Sequence, residues 1–313
     1  MELATNIFLL LLGISILVWG ANKFVDHASV IAKHMGISDL VIGLTLIAFG
    51  TSAPEIFVGI SSIINQNEEI ALGTAIGSNI SNIALIFGVS CLYLTGPSKT
   101  QLWNFVPFGL SVILLGLTLV DGKISFSESI GFVGILMIFM FVLFKTDGLA
   151  EEDSVDSSEF GRSLFVSLIG LVALIAGANI AVIYAESTAL LLGVPQIIIG
   201  LTIIALGTSL PELAATIVAL RKGRHQMVVG NIIGSNVFNL VFIIPMIVFF
   251  GSVELSPMVM QRDFYILLAL SMVFILLAVV LTKLQFRKNI FSISGVVLIA
   301  SYVLYISTLS GII

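Results

Sequence analysis

Charged residues are scarce in this sequence. Lys, Arg, Asp and Glu make up 10% of the 313 residues, whereas a soluble domain carries about 25%. A chain this poor in charge cannot cover a globular surface in water, and its mean hydropathy of +1.17 indicates that most of it lies in a lipid bilayer. The 13 Lys and Arg residues form no basic patch, so we expect no nucleic-acid partner. Cysteine occurs once, at Cys91, which excludes a disulfide bond within the chain.

Long apolar runs are what the sequence has instead. A helix that crosses the hydrocarbon core needs roughly 20 apolar residues, and ten segments meet this need. They are 5–22, 38–63, 69–95, 102–120, 126–145, 162–185, 195–219, 226–250, 263–282 and 290–310. The runs are continuous and do not alternate with period two, which favours helices over a β-barrel. The sequence therefore predicts an all-α integral membrane protein with ten transmembrane helices.

The two halves of the chain repeat one another. Segment 42–55 reads IGLTLIAFGTSAPE and segment 199–212 reads IGLTIIALGTSLPE, with 11 of 14 positions identical at an offset of 157 residues. The same offset pairs GTAIGSNISN at 73–82 with GNIIGSNVFN at 230–239. Because each half has five spans, an odd number, the second half enters the membrane from the opposite side. We predict two inverted five-helix repeats, 1–145 and 162–313, joined by a linker at 146–161.

The distribution of basic residues predicts the orientation. When Lys and Arg are assigned to alternating loops of the ten-span arrangement, 11 of the 13 fall on one side, and only Lys123 and Arg262 fall on the other. The eleven are Lys23, Lys33, Lys99, Lys145, Arg162, Arg221, Lys222, Arg224, Lys283, Arg287 and Lys288. Basic loops face the cytoplasm. We therefore expect an inner (cytoplasmic) membrane protein with both termini external and the linker cytoplasmic.

Two carboxylates interrupt the apolar spans at equivalent positions of the repeats, Glu55 and Glu212. An ionised side chain at the bilayer centre costs about 2.5 kcal/mol or more, so it needs a basic partner, a proton or a bound cation. No Lys or Arg lies in the middle of any span, which leaves a proton or an exogenous cation. The alternative, that both glutamates are neutral packing residues, is disfavoured because each is preceded by the same Thr-Ser pair and proline.

Neutral oxygen ligands accompany each carboxylate at helical spacing. Residues at i and i+4, or at i and i+3, share a helix face, so each repeat presents hydroxyl and amide groups on two neighbouring spans. They are Thr51, Ser52, Ser78 and Asn82 in the first repeat and Thr208, Ser209, Ser235 and Asn239 in the second. An all-oxygen set suits hard cations such as calcium and sodium, and it lacks the thiolate or imidazole that softer metals prefer.

A break in the helix is predicted beside each glutamate. Pro54 and Pro211 have no N–H and clash with the carbonyl four residues back, which belongs to a glycine in both repeats. Non-helical backbone at membrane depth is tolerated where it lines a cavity. We therefore expect backbone carbonyls of this turn, including those of Ala48 and Ala205, to be freed to face a cation.

At these residues the sequence resembles the sodium/calcium exchanger family, within the calcium:cation antiporter superfamily, and is similar to its prokaryotic members. GTSAPE at 50–55 with GSNISN at 77–82, and GTSLPE at 207–212 with GSNVFN at 234–239, look like that family's two alpha repeats. The resemblance implies that Glu55 and Glu212 bind calcium and sodium in turn, that the eight hydroxyl and amide residues join them, and that the carbonyls of Ala48 and Ala205 serve flanking sodium sites. Some members carry Asp where this chain has Asn239, so here the centre has two carboxylates.

These observations together predict a secondary active antiporter, not an enzyme, that exchanges Ca²⁺ for Na⁺ across the membrane by alternating access. The two ions are transported substrates, and no cofactor is expected. A proton-coupled calcium antiporter would use the same carboxylates and stays open as an alternative. A cation channel is a second alternative of a different class, and it would conduct without a counter-ion.

Overall fold

The protein is helical throughout the ranges that its structure describes. A computed structural model describes residues 2–65, 68–94, 100–120, 124–146, 157–194, 205–250, 259–283 and 288–309. In chain order the helices are α1 (Glu2–His34), α2 (Asp39–Thr51), α3 (Ala53–Ile64), α4 (Glu68–Ser81, continued by a π-helical segment Asn82–Phe87 and by Gly88–Tyr93), α5 (Leu102–Thr118), α6 (Phe126–Thr146), α7 (Ser157–Leu191), α8 (Leu210–Arg221), α9 (His225–Phe250), α10 (Tyr265–Lys283, preceded by a π-helical segment Val259–Phe264) and α11 (Lys288–Leu309). A short helical turn, Ala205–Gly207, precedes α8.

Most of these helices are long and apolar enough to cross a bilayer. Within the described ranges seven qualify singly: α1, α4, α6, α7, α9, α10 and α11. The pair α2 and α3 qualifies together as one bent span, and α5 is a shorter apolar helix. The predicted seventh span, 195–219, is described only from residue 205, and most of the predicted linker, 146–161, lies outside the described residues. The chain is therefore a multi-pass membrane protein.

Helices α1 and α7 are longer than the sequence predicted. The first apolar run ends near Asn22, but α1 continues to His34 because Phe24, Ala28 and Ile31 keep one of its faces buried against other helices. Helix α7 likewise begins before residue 162 and ends after residue 185. A hydropathy pattern predicts only the apolar stretch that crosses the lipid. It does not predict the further turns by which both helices extend beyond that stretch.

Helices α1 and α7 cross at close range through four glycines. A Cβ atom added at any of the four would lie 2.3–2.6 Å from a backbone nitrogen of the other helix. The contacts are Gly13 with Ala181, Gly20 with Leu174, Gly170 with Phe24, and Gly177 with Leu17. As the residue number rises along α1, the number of its partner on α7 falls by the same amount, so the helices run antiparallel. Replacing both residues of one contact by their equivalents in the other repeat, 157 residues away, gives another contact of the set. Equivalent helices therefore meet about a two-fold axis.

Helices α4 and α9 form the centre of the protein. In their most apolar windows 78% and 72% of the residues are buried, against 22–33% in the other five long helices. They meet at Asn79 and Asn236, which are equivalent in the repeat: the Nδ2 group of Asn79 donates to the backbone oxygen of Asn236 at 3.0 Å. The glutamate-bearing helices α3 and α8 contact this central pair. A polar centre is thereby enclosed by protein.

Candidate cation site

Glu55 lies just beyond a break in a membrane span. Helices α2 and α3 meet at Ser52 with a bend of 45°. Pro54 occupies the first turn of α3, where its missing N–H is tolerated, and Glu55 follows it in the same turn. The bend confirms the break predicted from the glycine and proline spacing. A carboxylate in the first turn of a helix is favoured by the helix dipole, which helps α3 to hold a negative charge inside the membrane.

The second repeat builds the same arrangement. Pro211 and Glu212 lie in the first turn of α8, and Ser209 precedes this helix as its N-cap residue. Ala205 belongs to the short helical turn Ala205–Gly207, which precedes α8. Each glutamate therefore begins a half-helix, and each half-helix comes from a different repeat.

Both glutamates are buried without a basic partner. Glu55 is 0% exposed and Glu212 is 1% exposed. Within the described ranges neither forms an ion pair, and neither Oε1 nor Oε2 of Glu55, nor Oε2 of Glu212, has a hydrogen-bond partner. Uncompensated buried carboxylates are costly. The site therefore has the chemistry of a cation or proton acceptor.

Hydrogen bonds join the two repeats around the carboxylates. Ser52 donates to Glu212 Oε1 at 3.0 Å, and Ser235 donates to the backbone oxygen of Ala48 at 3.4 Å. The Ala48 oxygen also accepts the backbone N–H of Ser52 at 3.0 Å. The prediction that this carbonyl is freed from the helix is therefore wrong, because the break falls one turn later, at Ser52. The carbonyl nevertheless lies at the contact between the repeats.

Further polar groups are buried in the same layer. The amide oxygen and nitrogen of Asn82 and of Asn239, and the hydroxyl of Ser209, are buried without a hydrogen-bond partner among the described residues. Ser78, Asn82, Ser235 and Asn239 are at most 5% exposed. No group of three or more His, Cys, Asp or Glu side chains able to hold a metal occurs in the described part of the chain. The available ligands are two carboxylates and neutral oxygens.

Two clefts border predicted ligands or the prolines beside the glutamates. The larger, about 450 Å³, extends from Ile70 and Leu309 at helix ends to Ser78 and Thr208. The smaller, about 180 Å³, lies between α7 and the two half-helices and is lined by Pro54, Pro211 and Thr208. Thr208, which is partly exposed, borders both clefts. Its equivalent Thr51 is fully buried, so one repeat presents its threonine to a cleft while the other encloses it.

The buried threonine has partners that sequence reasoning did not identify. The hydroxyl of Thr51 lies 3.0 Å from the Ile47 oxygen and 3.3 Å from Oδ1 of Asn231, whose Nδ2 group donates to Thr216 at 3.1 Å. Asn231 stands in the second copy of the GxxxGSN segment and is not among the predicted ligands. The sequence does show that the two repeats differ at this position, since the first repeat has Thr74 where the second has Asn231.

The structure brings five of the twelve predicted ligands into direct contact with one another: Thr51, Ser52, Ser235, Ala48 and Glu212. Glu55, Ser209, Asn82 and Asn239 are buried without a described partner. Ser78 and Thr208 line the larger cleft.

Comparison with known proteins gives a consistent result. The family profile described as "Sodium/calcium exchanger protein" matches residues 5–145 and 162–311. The inner membrane protein YrbG of Escherichia coli (strain K12) is 34% identical over 86% of this chain and 87% of its own. The sodium/calcium exchanger MaX1 of Methanosarcina acetivorans is 31% identical over 98% of this chain and 99% of its own. A solved structure of the sodium-calcium exchanger NCX_Mj, soaked with Na⁺ and no Ca²⁺, superposes with a TM-score of 0.81 at 29% identity, covering 97% of this chain and 99% of that one.

Proposed function

Because this chain belongs to the sodium/calcium exchanger family and is a cation/Ca²⁺ antiporter, not an enzyme, we propose that it exchanges Ca²⁺ for Na⁺ by alternating access. The observation that carries this proposal is the pair of buried carboxylates, one from each repeat, with no basic partner in the described ranges. Solved structures of NCX_Mj include one soaked with both Na⁺ and Ca²⁺, which superposes with a TM-score of 0.80. That likeness supports the same two substrate ions here.

The ions are proposed to bind between the half-helices α3 and α8. Glu55 and Glu212 supply the charge. The neutral ligands of the proposal are Thr51, Ser52, Ser78, Asn82, Thr208, Ser209, Ser235 and Asn239, with the carbonyls of Ala48 and Ala205. Calcium accepts six to eight oxygen ligands in irregular geometry, which suits a site assembled from two repeats. When no ion is bound, two uncompensated charges oppose movement of the site through a low-dielectric barrier, so exchange is favoured over leak.

The proposed architecture is ten spans in two inverted repeats, 1–145 and 162–313, with a linker at 146–161. The proposal counts as its ten spans the seven single spans, the bent pair, α5 and the segment that contains α8. The antiparallel contact of α1 with α7 and the Asn79–Asn236 hydrogen bond, whose members are 157 residues apart, support the inversion. The family profile leaves out 146–161, which agrees with a linker there.

The proposed orientation places both termini outside and the linker in the cytoplasm. Lys222 and Arg224, which the positive-inside rule assigns to the cytoplasmic side, pair with Asp26 and Asp39, which follow Lys23 and Lys33 of the same predicted side. At the opposite end of the helices, Tyr305 donates to Asp263, which pairs with Arg262. The name of YrbG, an inner membrane protein, supports the cytoplasmic membrane as the location.

Flux through reconstituted vesicles tests the proposal. Sodium-loaded vesicles at equal internal and external pH are expected to take up ⁴⁵Ca²⁺ only when an outward Na⁺ gradient is present. Glu55→Gln and Glu212→Gln should each abolish uptake, because one buried carboxylate cannot balance a divalent ion. Glu128→Gln is the matched control, since Glu128 also lies in the first turn of a helix but is only half-buried, and its carboxylate accepts hydrogen bonds from the N–H and the hydroxyl of Ser125.

The alternatives give different results in the same vesicles. Uptake that ignores Na⁺ but follows an imposed proton gradient would assign the protein to proton coupling. Uptake without any counter-ion would indicate a channel. Near-normal exchange in both glutamine variants would refute the assignment of the site.

A further inference from the structure

A chain of three buried polar side chains begins at Thr51 and leads away from the carboxylates. Thr51 lies on α2, Asn231 on α9 and Thr216 on α8, and they are 0%, 2% and 1% exposed. The hydroxyl of Thr51 lies 3.3 Å from Oδ1 of Asn231, and the Nδ2 group of Asn231 donates to the Thr216 hydroxyl at 3.1 Å. Three elements are thus joined through one asparagine. A buried amide is costly unless both of its ends are satisfied, and here both are.

The first repeat has no equivalent of this chain. At the 157-residue offset Asn231 corresponds to Thr74, and Thr216 corresponds to Gly59. Thr74 lines the larger cleft, and its hydroxyl donates at 2.8 Å to the Ile70 oxygen within its own helix. The inverted architecture by itself therefore does not require an asparagine at 231.

The glycines on either side of Asn231 press α9 against α2. A Cβ atom at Gly230 would lie 2.5 Å from the Leu40 oxygen, and one at Gly234 would lie 2.5 Å from the Leu44 oxygen. At the equivalent glycines of the first repeat, Gly73 and Gly77, an added Cβ would meet no atom of the described chain within 4 Å. Asn231 therefore has little freedom to turn, and it meets Thr51 in the enclosed half of the site.

We propose that Asn231 is a positioning residue for ion binding, which with Thr216 fixes the direction of the Thr51 hydroxyl. A hydroxyl that binds a cation offers a lone pair to it, and its proton must point to an acceptor elsewhere. The Ile47 oxygen, at 3.0 Å, is one acceptor along the helix of Thr51 itself, and Asn231 supplies a second from a neighbouring helix. Thr216 holds the Asn231 amide so that its oxygen, and not its nitrogen, faces Thr51. This inference rests on the proposed function, because it takes Thr51 as an ion ligand.

Substitutions that keep volume but remove hydrogen bonds test the role. Asn231→Leu should raise the Ca²⁺ concentration for half-maximal exchange about fivefold, the equivalent of one neutral hydrogen bond of about 1 kcal/mol. Thr216→Val should raise it about two- to threefold, and Thr216→Ser, which keeps the hydroxyl, should restore the wild-type value. The maximal rate should stay within about twofold in all three, because the ligands themselves are retained. Thr118→Val is the control: Thr118 is fully buried, and among the described residues its hydroxyl donates to the Leu115 oxygen of its own helix.

A double variant distinguishes a positioning role of Asn231 from a general destabilisation of the fold. If Asn231 acts through Thr51, then Asn231→Leu should add nothing to the affinity loss of Thr51→Val. Calcium binding, measured as protection against thermal unfolding in detergent, provides a readout that does not depend on the coupling ion. An unchanged half-maximal concentration in both Asn231→Leu and Thr216→Val, or effects that multiply in the double variant, would overturn the proposal while leaving the antiporter assignment intact. A wild-type protein that neither binds nor exchanges Ca²⁺ would overturn both.

Discussion

The glycine crossing of α1 and α7 makes a quantitative prediction about stability. In the variant Gly177→Ala the new Cβ would lie 2.3 Å from the backbone nitrogen of Leu17 and 2.9 Å from the Gly13 oxygen. Both atoms belong to the backbone, so no side-chain rotamer can relieve the contact. Since carbon atoms approach favourably at about 3.5 Å, the helices must separate by about 1 Å at this point.

A variant elsewhere on the same helix isolates the cost of this separation. Gly161 also lies on α7, and an added Cβ there would meet no described atom within 4 Å. Replacing glycine by alanine in a helix gains about 1 kcal/mol from helix propensity at either position. Overpacking costs about 1–3 kcal/mol and applies only at Gly177. Gly177→Ala should therefore be less stable than Gly161→Ala by about 1–3 kcal/mol.

Thermal unfolding in detergent measures this difference. Gly161→Ala should unfold at or above the wild-type temperature, and Gly177→Ala at or below it. Gly20→Ala should behave like Gly177→Ala, because the two glycines are equivalent in the repeat and the added Cβ at Gly20 would lie 2.4 Å from Leu174 N. Equal unfolding temperatures for Gly177→Ala and Gly161→Ala would refute the close crossing, and a large difference between Gly177→Ala and Gly20→Ala would refute its symmetry.

Two further predictions concern the site. Ser52→Ala should weaken Ca²⁺ activation by about 10-fold more than Ser209→Ala, because Ser52 donates a hydrogen bond to the buried Glu212 carboxylate, whereas the Ser209 hydroxyl has no partner among the described residues. Hydrogen bonds to charged groups contribute about 1.5–3 kcal/mol. Equal effects in the flux assay would show that the Ser52–Glu212 bond does not position the carboxylate. Pro54→Ala supplies the N–H that proline lacks and should reduce the 45° bend, so ⁴⁵Ca²⁺ exchange should fall without loss of thermal stability. Pro107→Ala is its control, since Pro107 lies in the first turn of the regular α-helical part of α5. Normal exchange by Pro54→Ala would show that function does not depend on the bend.

The glutamates and the helix break could be predicted from the sequence because each violates a local rule. Glu55 and Glu212 are ionisable groups in apolar runs, and Pro54 removes a hydrogen bond that a helix interior needs. Such violations are visible without any tertiary information. The family likewise followed from two doubled motifs, and the comparisons confirm it.

Contacts between the repeats could not be predicted in the same way. Nothing in the sequence indicates that Ser52 donates to Glu212 of the other repeat and not to Glu55 of its own repeat. Asn231 was missed because one asparagine between two glycines on an apolar helix looks like a close-packing segment. The π-helical segments Gly43–Ile47 and Asn82–Phe87 were missed because their apolar residues are equally compatible with a regular α-helix. These features depend on which helices lie side by side.

The crossing of α1 and α7 also bears on how such a chain could arise. The contact has the form of an isologous interface, in which both partners present the same surface. Gly20 contacts Leu174, and the equivalent glycine, Gly177, contacts the equivalent leucine, Leu17. In the proposed architecture of two inverted repeats, a single five-helix unit would make this contact with a second copy of itself inserted upside down in the bilayer. Duplication and fusion would then preserve an existing homodimer interface, with the four glycines as its trace. At the positions equivalent to Asn231 and Thr216 the first half has Thr74 and Gly59, so the hydrogen bonds around Thr51 do not share this symmetry.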